Sequence, residues 1–292
     1  MASKFKTSVT GFLRGLRKSR SIVGFGLTIV ATLSTLCVLI WILAYLVVHG
    51  IGAMNLNFLI KEPAAVGEAG GGIAPSLLGT MILVSISMVV GVPLGVGVGI
   101  YLSEIARDTQ FARVTRIAIN TFIGVPSIVV GIFVYFILVK PTHTFSAVAG
   151  GLALGIIMTP IMARTTEDVL RLVPNSIREA GLGLGLSQWR VTLKIVLPTA
   201  RAGVITGGIL AVARVAGETA PLILTALGNE YYPTGLFHPI DEITLRILKY
   251  ARGPYDVWHE QAYGAALILV FGVAIGSLLL RLTTRSEIAS GV

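Results

Sequence analysis

The chain has 292 residues, of which 54% are hydrophobic and only 13% charged, about half the roughly 25% charge of soluble domains. That excludes a water-soluble body of this size. The net charge of +9 does not mark a nucleic-acid binder, because Lys and Arg sit in short clusters between long apolar runs and form no basic stripe.

The first twenty residues carry six cations (Lys4, Lys6, Arg14, Arg17, Lys18, Arg20) and no acid, and no further charge appears before Lys61. That run is far longer than the apolar core of a secretory signal, and no small-residue cleavage site is clear. Residues 1–21 therefore read as a basic cytoplasmic N-terminus leading into a retained anchor. Cys37, the single cysteine, lies in this run, so no internal disulfide or Cys-based metal site forms; a small buried filler is its default role.

A helix needs about 20 apolar residues to cross a hydrocarbon core of about 30 Å. Spans are expected at 22–48, 76–102, 117–139, 145–163, 202–227 and 262–281. The fold class is all-α integral membrane, with six transmembrane helices. With the N-terminus inside, seventeen Lys and Arg fall on inner segments and five (Lys61, Lys140, Arg246, Lys249, Arg252) on outer ones. The positive-inside rule then puts both termini in the cytoplasm.

Gly91, Pro93, Gly95, Gly97 and Gly99 in the second span, Gly124 and Pro126 in the third and Pro160 in the fourth imply close helix packing and bends. Two connections are too long to be turns: 164–201 inside and 228–261 outside. In the outer one, Asp241–Arg252 places Ile243, Ile247 and Tyr250 on one helical face. An interfacial helix is expected there, either meeting an external partner or resting on the membrane.

The inner loop reads NSIREAGLGLGLSQWRVTLKIVLPTA over 175–200. Asn175 or Ser176 is placed to cap a short helix, a bend is expected near Gly185, and Ser187 is placed to cap a second helix over Gln188 to about Val196. Trp189, Leu193 and Val196 fall on one face of it. Pro198 marks a break before the fifth span. The glycines follow no strand and lack the G-x-G-x-x-G spacing, so they are no dinucleotide loop.

The fifth span contains ARVAGETAPLILTALG, 213–228. Arg214 lies about 12 residues, roughly 18 Å, from its inner end. Such a charge costs about 2.5–3.5 kcal/mol on the insertion scale and counts as a functional candidate. Glu218 follows one turn later, so the two are expected to pair, either for transport or as a structural pair with a neighbouring helix.

The inner loop resembles the signature of the permeases of binding-protein-dependent ABC importers: E-A-A, three residues, G, nine residues, I-x-L-P. Here it stands as Glu179, Ala180, Gly181, Gly185, Ile195, Leu197 and Pro198, with Gly in place of the second Ala. The resemblance implies a type I, MetI-like fold in which roughly Ser176–Arg190, with Ser187 in it, is a coupling helix docking on a cytoplasmic ATPase. The chain has no G-x-x-x-x-G-K-[ST], so ATP hydrolysis falls to another polypeptide and this chain is no enzyme.

R-x-x-G-E-T-A-P in the fifth span, GGGIAPSLLGT and GVPLGVGVGIYLSEIA around the second and VPSIVVGIFVYF in the third resemble the phosphate-specific (Pst) permeases, over residues 70–285. The short first outer loop and the GETAP ending resemble the PstA-type subunit more than its PstC-type partner. That likeness implies a bacterial or archaeal plasma membrane. The implied companions are a homologous PstC-type permease completing the pore, a dimeric PstB-type ATPase holding the ATP and Mg, and an external PstS-type phosphate-binding protein. This chain itself is expected to bind no cofactor and no metal.

Phosphate gives the charges a rationale. Arginine donates a fork of hydrogen bonds to phosphate oxygens at any cellular pH. Monohydrogen phosphate carries an O–H that a carboxylate accepts, whereas sulfate carries none. Arg214 is expected to draw the anion and Glu218 to accept its proton, with Thr219 in the same pathway. The alternatives are another oxyanion (phosphonate, sulfate, molybdate) on the same architecture, or an ion-driven secondary transporter, although no inverted repeat is visible. A membrane enzyme would need a His/Asp or Ser/Lys constellation within the spans; His49, His143, His238 and His259 fall in outer segments or at span ends.

Overall fold

A computed structural model describes residues 2–66, 68 and 70–289, with side chains from 23 to 282. The side chains of the six N-terminal cations and of Arg285 lie outside the described residues. Within them the chain is helical, with only isolated bridges at Pro63–Gly71 and Leu227–Ile240.

Helix α1 (Ala2–Gly50) leads through a 3-10 turn at Ile51–Ala53 to the short α2 (Leu56–Ile60), which Asn55 caps by accepting from the Phe58 amide at 2.9 Å. α3 (Ala74–Ile100) ends in a π turn at Tyr101–Ile105. α4 (Gln110–Ile123) and α5 (Ser127–Val134) follow; a second π turn at Tyr135–Val139 carries α5 into α6 (Lys140–Thr142). α7 (Ala147–Arg171) precedes α8 (Asn175–Gly183) and α9 (Gln188–Val191). A third π turn at Thr192–Val196 joins α9 to α10 (Leu197–Val215). α11 (Ala220–Ile223), α12 (Ile243–Arg252) and α13 (Asp256–Ala289) complete the order.

Five helical stretches are long and apolar enough to cross a membrane: Val23–Ala53, Ala74–Ile105, Ala147–Arg171, Gln188–Val215 and Asp256–Leu282. Two expected spans differ from the sequence reading. The third, read as one helix over 117–139, is two arms, Gln110–Ile123 and Ser127–Thr142, bent by 99°. Pro126 has no amide to donate and keeps its predecessor out of the helical region, so the chain turns there. The fifth runs from Gln188 to Val215 instead of 202–227. Pro198 does not break it, because proline is tolerated in a first helical turn and the π turn before it absorbs the altered bonding.

The core is built on α3 against α7. Gly91, Gly95 and Gly99, spaced by four, lie on one face of α3. A Cβ on them would come within 2.7 Å of Met158, 2.4 Å of Met162 and 2.6 Å of Thr166. Only hydrogen at these positions lets the two backbones approach so closely, the packing small residues provide where lipid leaves no hydrophobic drive between helices. Leu83, Leu154, Met158, Met162, Val215 and Leu222 fill the centre around this contact. Among its described residues, α1 packs on the rest near its end, where Tyr45 and His49 stack on each other and face Tyr263 of α13. Most of its described length is exposed, Cys37 included, so the cysteine is not the buried filler expected of it: α1 leaves that face uncovered.

Candidate functional site

Where α4 meets α5, the bend at Gly124–Pro126 opens a cavity of about 260 Å³ lined by Gly124, Pro126, Ser127, Ile157, Arg214 and Glu218, among others. That is well above the ~30 Å³ one water takes in the liquid. α5 is pinned in place because a Cβ on Gly131 would sit 2.6 Å from the Pro221 Cα, so the first turns of α5 lie directly on α11. The two charges singled out in the sequence therefore share one cavity, at a break in two spans.

They do not pair. α10 ends at Val215, leaving Arg214 in its last turn, and Glu218 lies beyond the helix. Gly217 and Glu218 donate to the Arg214 and Val215 carbonyls at 3.2 and 3.1 Å, closing a tight turn. Among the described ion pairs none joins Arg214 to Glu218. The expected i, i+4 geometry needed an uninterrupted helix; Gly217 and Pro221 stop it. Arg214 instead sits at a helix C-terminus, where the macrodipole favours a cation. Thr219 lies half-buried at the N-terminus of α11 and does not line the cavity. The Glu218 carbonyl accepts from the Thr244 hydroxyl at 3.4 Å, which joins this segment to α12.

At the end of the molecule bearing α8, Glu179 and Ala180 are exposed and Gly181 is buried against Val191 and Ile195. Gly185 takes φ +78°, the left-handed turn for which glycine is suited, so the bend falls where expected. The capping differs. Pro174, not Asn175 or Ser176, occupies the N-cap of α8; Ser187 holds the N-cap position of α9 but its hydroxyl makes no capping bond. Nor do Trp189, Leu193 and Val196 share a face. Trp189 is 60% exposed and Val196 fully buried, since the π turn shifts the register between them. Leu197 is half-buried and Pro198 exposed.

Leu172 and Leu184, each 80% exposed, and Leu182 lie on the surface of this end with Trp189. It is attached to the bundle by a buried apolar cluster, in which Ile177 and Val191 pack with Ile100 and Leu170, and by polar bonds. Arg178 donates to both Glu104 carboxylate oxygens from Nε at 2.9 Å and Nη2 at 2.7 Å, and Gln188 donates to the Glu104 carbonyl at 2.6 Å. Glu104 lies in the π turn that ends α3, so the short helices are clamped to the helix forming half of the core.

The opposite end holds a network that sequence reasoning missed. α12 is no surface helix: Ile243, Thr244, Leu245, Arg246 and Tyr250 are buried. Asp241 accepts from Arg246 Nε and Nη2 at 2.8 and 2.6 Å and from the Ser76 hydroxyl. Glu242 caps α12, accepting from the Thr244 and Leu245 amides at 2.7 and 3.3 Å, from the Thr244 hydroxyl and, at 3.4 Å, from Thr80. Burial pushes the Glu242 carboxyl up to about 7 despite these bonds, with the Asp241 charge adding to the rise. Burial also raises Asp241, against the pull of Arg246. The only sequence signal was an Asp-Glu pair with an Arg four and five residues on; their partners Ser76 and Thr80 are more than 160 residues away.

This architecture, a bundle with a broken span and a protruding helix–bend–helix, is that of an importer permease. Residues 91–286 match the model of the binding-protein-dependent transport system inner membrane component family. The chain is 39% identical over 265 residues to the phosphate transport system permease protein PstA of Yersinia pestis, covering 91% of this chain and 90% of that protein. It is 39% identical to PstA of Haemophilus influenzae over 87% of this chain and 90% of that one. Against PstA of Xylella fastidiosa the figure is 42%, over 71% and 73%. Among solved structures, an inward-facing MetNI methionine ABC transporter aligns with a TM-score of 0.55 at 18% identity, over 75% of this chain and 94% of that one. An amino acid ABC transporter gives 0.54 at 17%, over 73% and 92%; at such identities the likeness is one of fold. The chain belongs to the binding-protein-dependent inner membrane components, in their PstA-type permease branch. It is a multi-pass inner-membrane subunit.

Proposed function

We propose that this chain forms half of the pore of an ATP-driven inorganic phosphate importer, with both termini and α8 in the cytoplasm and α12 outside. Supporting the orientation is the excess of Lys and Arg on the segments it places inside. Phosphate is supported by the relatives named as phosphate transport permeases. The observation that carries the pathway is that Arg214 and Glu218 line one cavity at the break between α4 and α5 without neutralising each other.

In this reading the unpaired Arg214 draws the dianion, its fork matching two phosphate oxygens. Glu218 accepts the remaining phosphate O–H and weakens binding enough for release; sulfate offers no such proton, and a half-buried acceptor left unpaired disfavours it. Helices broken at membrane depth supply the site, as non-helical backbone is tolerated where it lines a cavity. A homologous PstC-type permease completes the pore. A PstB-type ATPase dimer holds ATP and its Mg²⁺, docking on the exposed leucines and Trp189 around Gly185. A PstS-type protein delivers phosphate outside. ATP-driven closure pulls α8, and the Arg178–Glu104 clamp passes that movement to α3 and through its glycine face to α7.

Proteoliposomes containing the co-purified complex test this. Labelled phosphate should enter on ATP addition with the external binding protein present and should continue when ion gradients are collapsed. Uptake driven by a gradient without ATP would overturn the reading in favour of a secondary transporter, and faster uptake of sulfate would overturn the substrate.

A further inference from the structure

On the α12 end, a second cavity of about 470 Å³ is lined by Asn229, Glu230, Tyr231, Arg246, Lys249 and Arg252, among others. It shares no lining residue with the Arg214 cavity, and Glu230, Lys249 and Arg252 have no role so far. Three cations face it against Glu230 and Asp241.

The wiring of those charges is uneven. Arg246, 1% exposed, is fixed from behind: Asp241 takes its Nε and Nη2, and the Tyr250 ring lies 5.3 Å away. Only Nη1 faces forward, and it meets Glu230 Oε1 at 3.3 Å. The same oxygen accepts from the Lys249 ammonium. Glu230 is itself 40% exposed and leaves α11 through two left-handed residues, Leu227 at φ 66° and Gly228 at φ 90°, on a loop rather than a helix. Arg252 faces the cavity with no described ion-pair partner. The Lys249 ammonium, with Arg246 adding, holds the Glu230 carboxyl below the usual carboxylate range, so it is an anion at any cellular pH.

A rigid guanidinium and an ammonium sharing one oxygen of a loop-borne carboxylate is what an oxyanion site looks like when the protein fills it itself. We propose that this cavity is an entry subsite for a free inorganic oxyanion dianion, and that Glu230 is its internal stand-in, displaced when the anion binds to Arg246, Lys249 and Arg252. The proposal deepens the phosphate-import reading by giving the anion a station before Arg214. With Glu230 swung out, the subsite offers donors and the already-committed Asp241, so it does not discriminate: phosphate and sulfate bind within about twofold of each other. Selection is left to Glu218.

Equilibrium binding of labelled inorganic phosphate to the full-length chain in its co-purified complex, without the external binding protein, tests this. Nanodiscs of phosphatidylcholine are used, in an Arg214→Gln background that silences the other cavity of this chain, and the signal is the part lost in the Lys249→Gln, Arg252→Gln variant. Glu230→Gln removes the competitor and should tighten binding about fivefold, the worth of one exposed charge pair near the upper end of its range. Lys249→Gln with Arg252→Gln should abolish binding while leaving the melting temperature unchanged. Unchanged or weaker binding in Glu230→Gln overturns the proposal. So does loss of phosphate binding when phosphatidylglycerol replaces part of the lipid, which would give the site to a lipid headgroup. Because these measurements read binding and not uptake, the subsite survives or fails independently of the transport reading.

Discussion

The two ends of the molecule treat charge and apolar surface in opposite ways. At the α8 end, large apolar side chains face outward (Leu172, Leu182, Leu184, Trp189), and the Arg178–Glu104 clamp, with Gln188 on the Glu104 carbonyl, ties the protrusion to the end of α3. At the α12 end, charges are turned inward: Asp241, Glu242 and Arg246 are buried among Ser76, Thr80 and Thr244. Exposed apolar groups gain stability only when something covers them, whereas buried, fully bonded charges resist rearrangement. On the function proposed above, the first end is the one gripped and moved, while the second keeps its own shape. Between them, the α3–α7 glycine contact is tight enough to carry movement from one to the other.

Substitutions at each end sharpen or break that contrast. The largest effect is expected for Asp241→Asn, which leaves Arg246 buried beside a neutral partner; breaking a buried pair costs about 3–5 kcal/mol. Thermal unfolding in nanodiscs should show a loss of that order, and a change under 1 kcal/mol would mean that the α12 end is not held by its charges. Arg178→Gln comes next. Arg178 is 14% exposed against 1% for Arg246, so a smaller loss of about 1–3 kcal/mol is expected, with ATP hydrolysis continuing while uptake falls; uptake that follows hydrolysis unchanged would remove the clamp from the coupling path. Replacing Leu184 and Trp189 together by Ser should leave stability within about ±0.5 kcal/mol yet prevent co-purification of the ATPase. Retention of the ATPase would show that this apolar surface grips nothing.

A last effect is one of pH. Glu242 ionises near 7 in the folded chain against 4.5 ordinarily, so the folded state holds the proton more tightly. Stability from that proton is complete below about 4.5 and is lost as pH rises through about 7. The melting temperature should therefore be a few degrees lower at pH 8 than at pH 5, and Glu242→Gln should flatten the difference. A slope that persists in that variant belongs to other groups.

Much of this was legible in the sequence, and what was not has a physical cause. The glycine ladder of α3, the bend at Gly185 and the four other spans follow from chemistry contained in short stretches. Gly124 and Pro126 announced a bend, but not that it would reach 99° and open a cavity, since the angle is fixed by α5 seating on Pro221. Arg214 and Glu218 were found because charge in an apolar run is conspicuous. Their expected pairing fails because Gly217 and Pro221, both visible in the sequence, stop the helix at Val215. The Asp241 network was hidden: an acidic pair in an outer loop looks solvated until the chain folds Ser76 and Thr80 onto it.

The proposed pathway depends on Arg214 meeting the transported anion, and ATP-driven phosphate uptake by complexes carrying Arg214→Gln tests that most directly. The prediction is a complex that assembles with all its subunits and still hydrolyses ATP, while phosphate uptake falls to background. Undiminished uptake in that variant would contradict it.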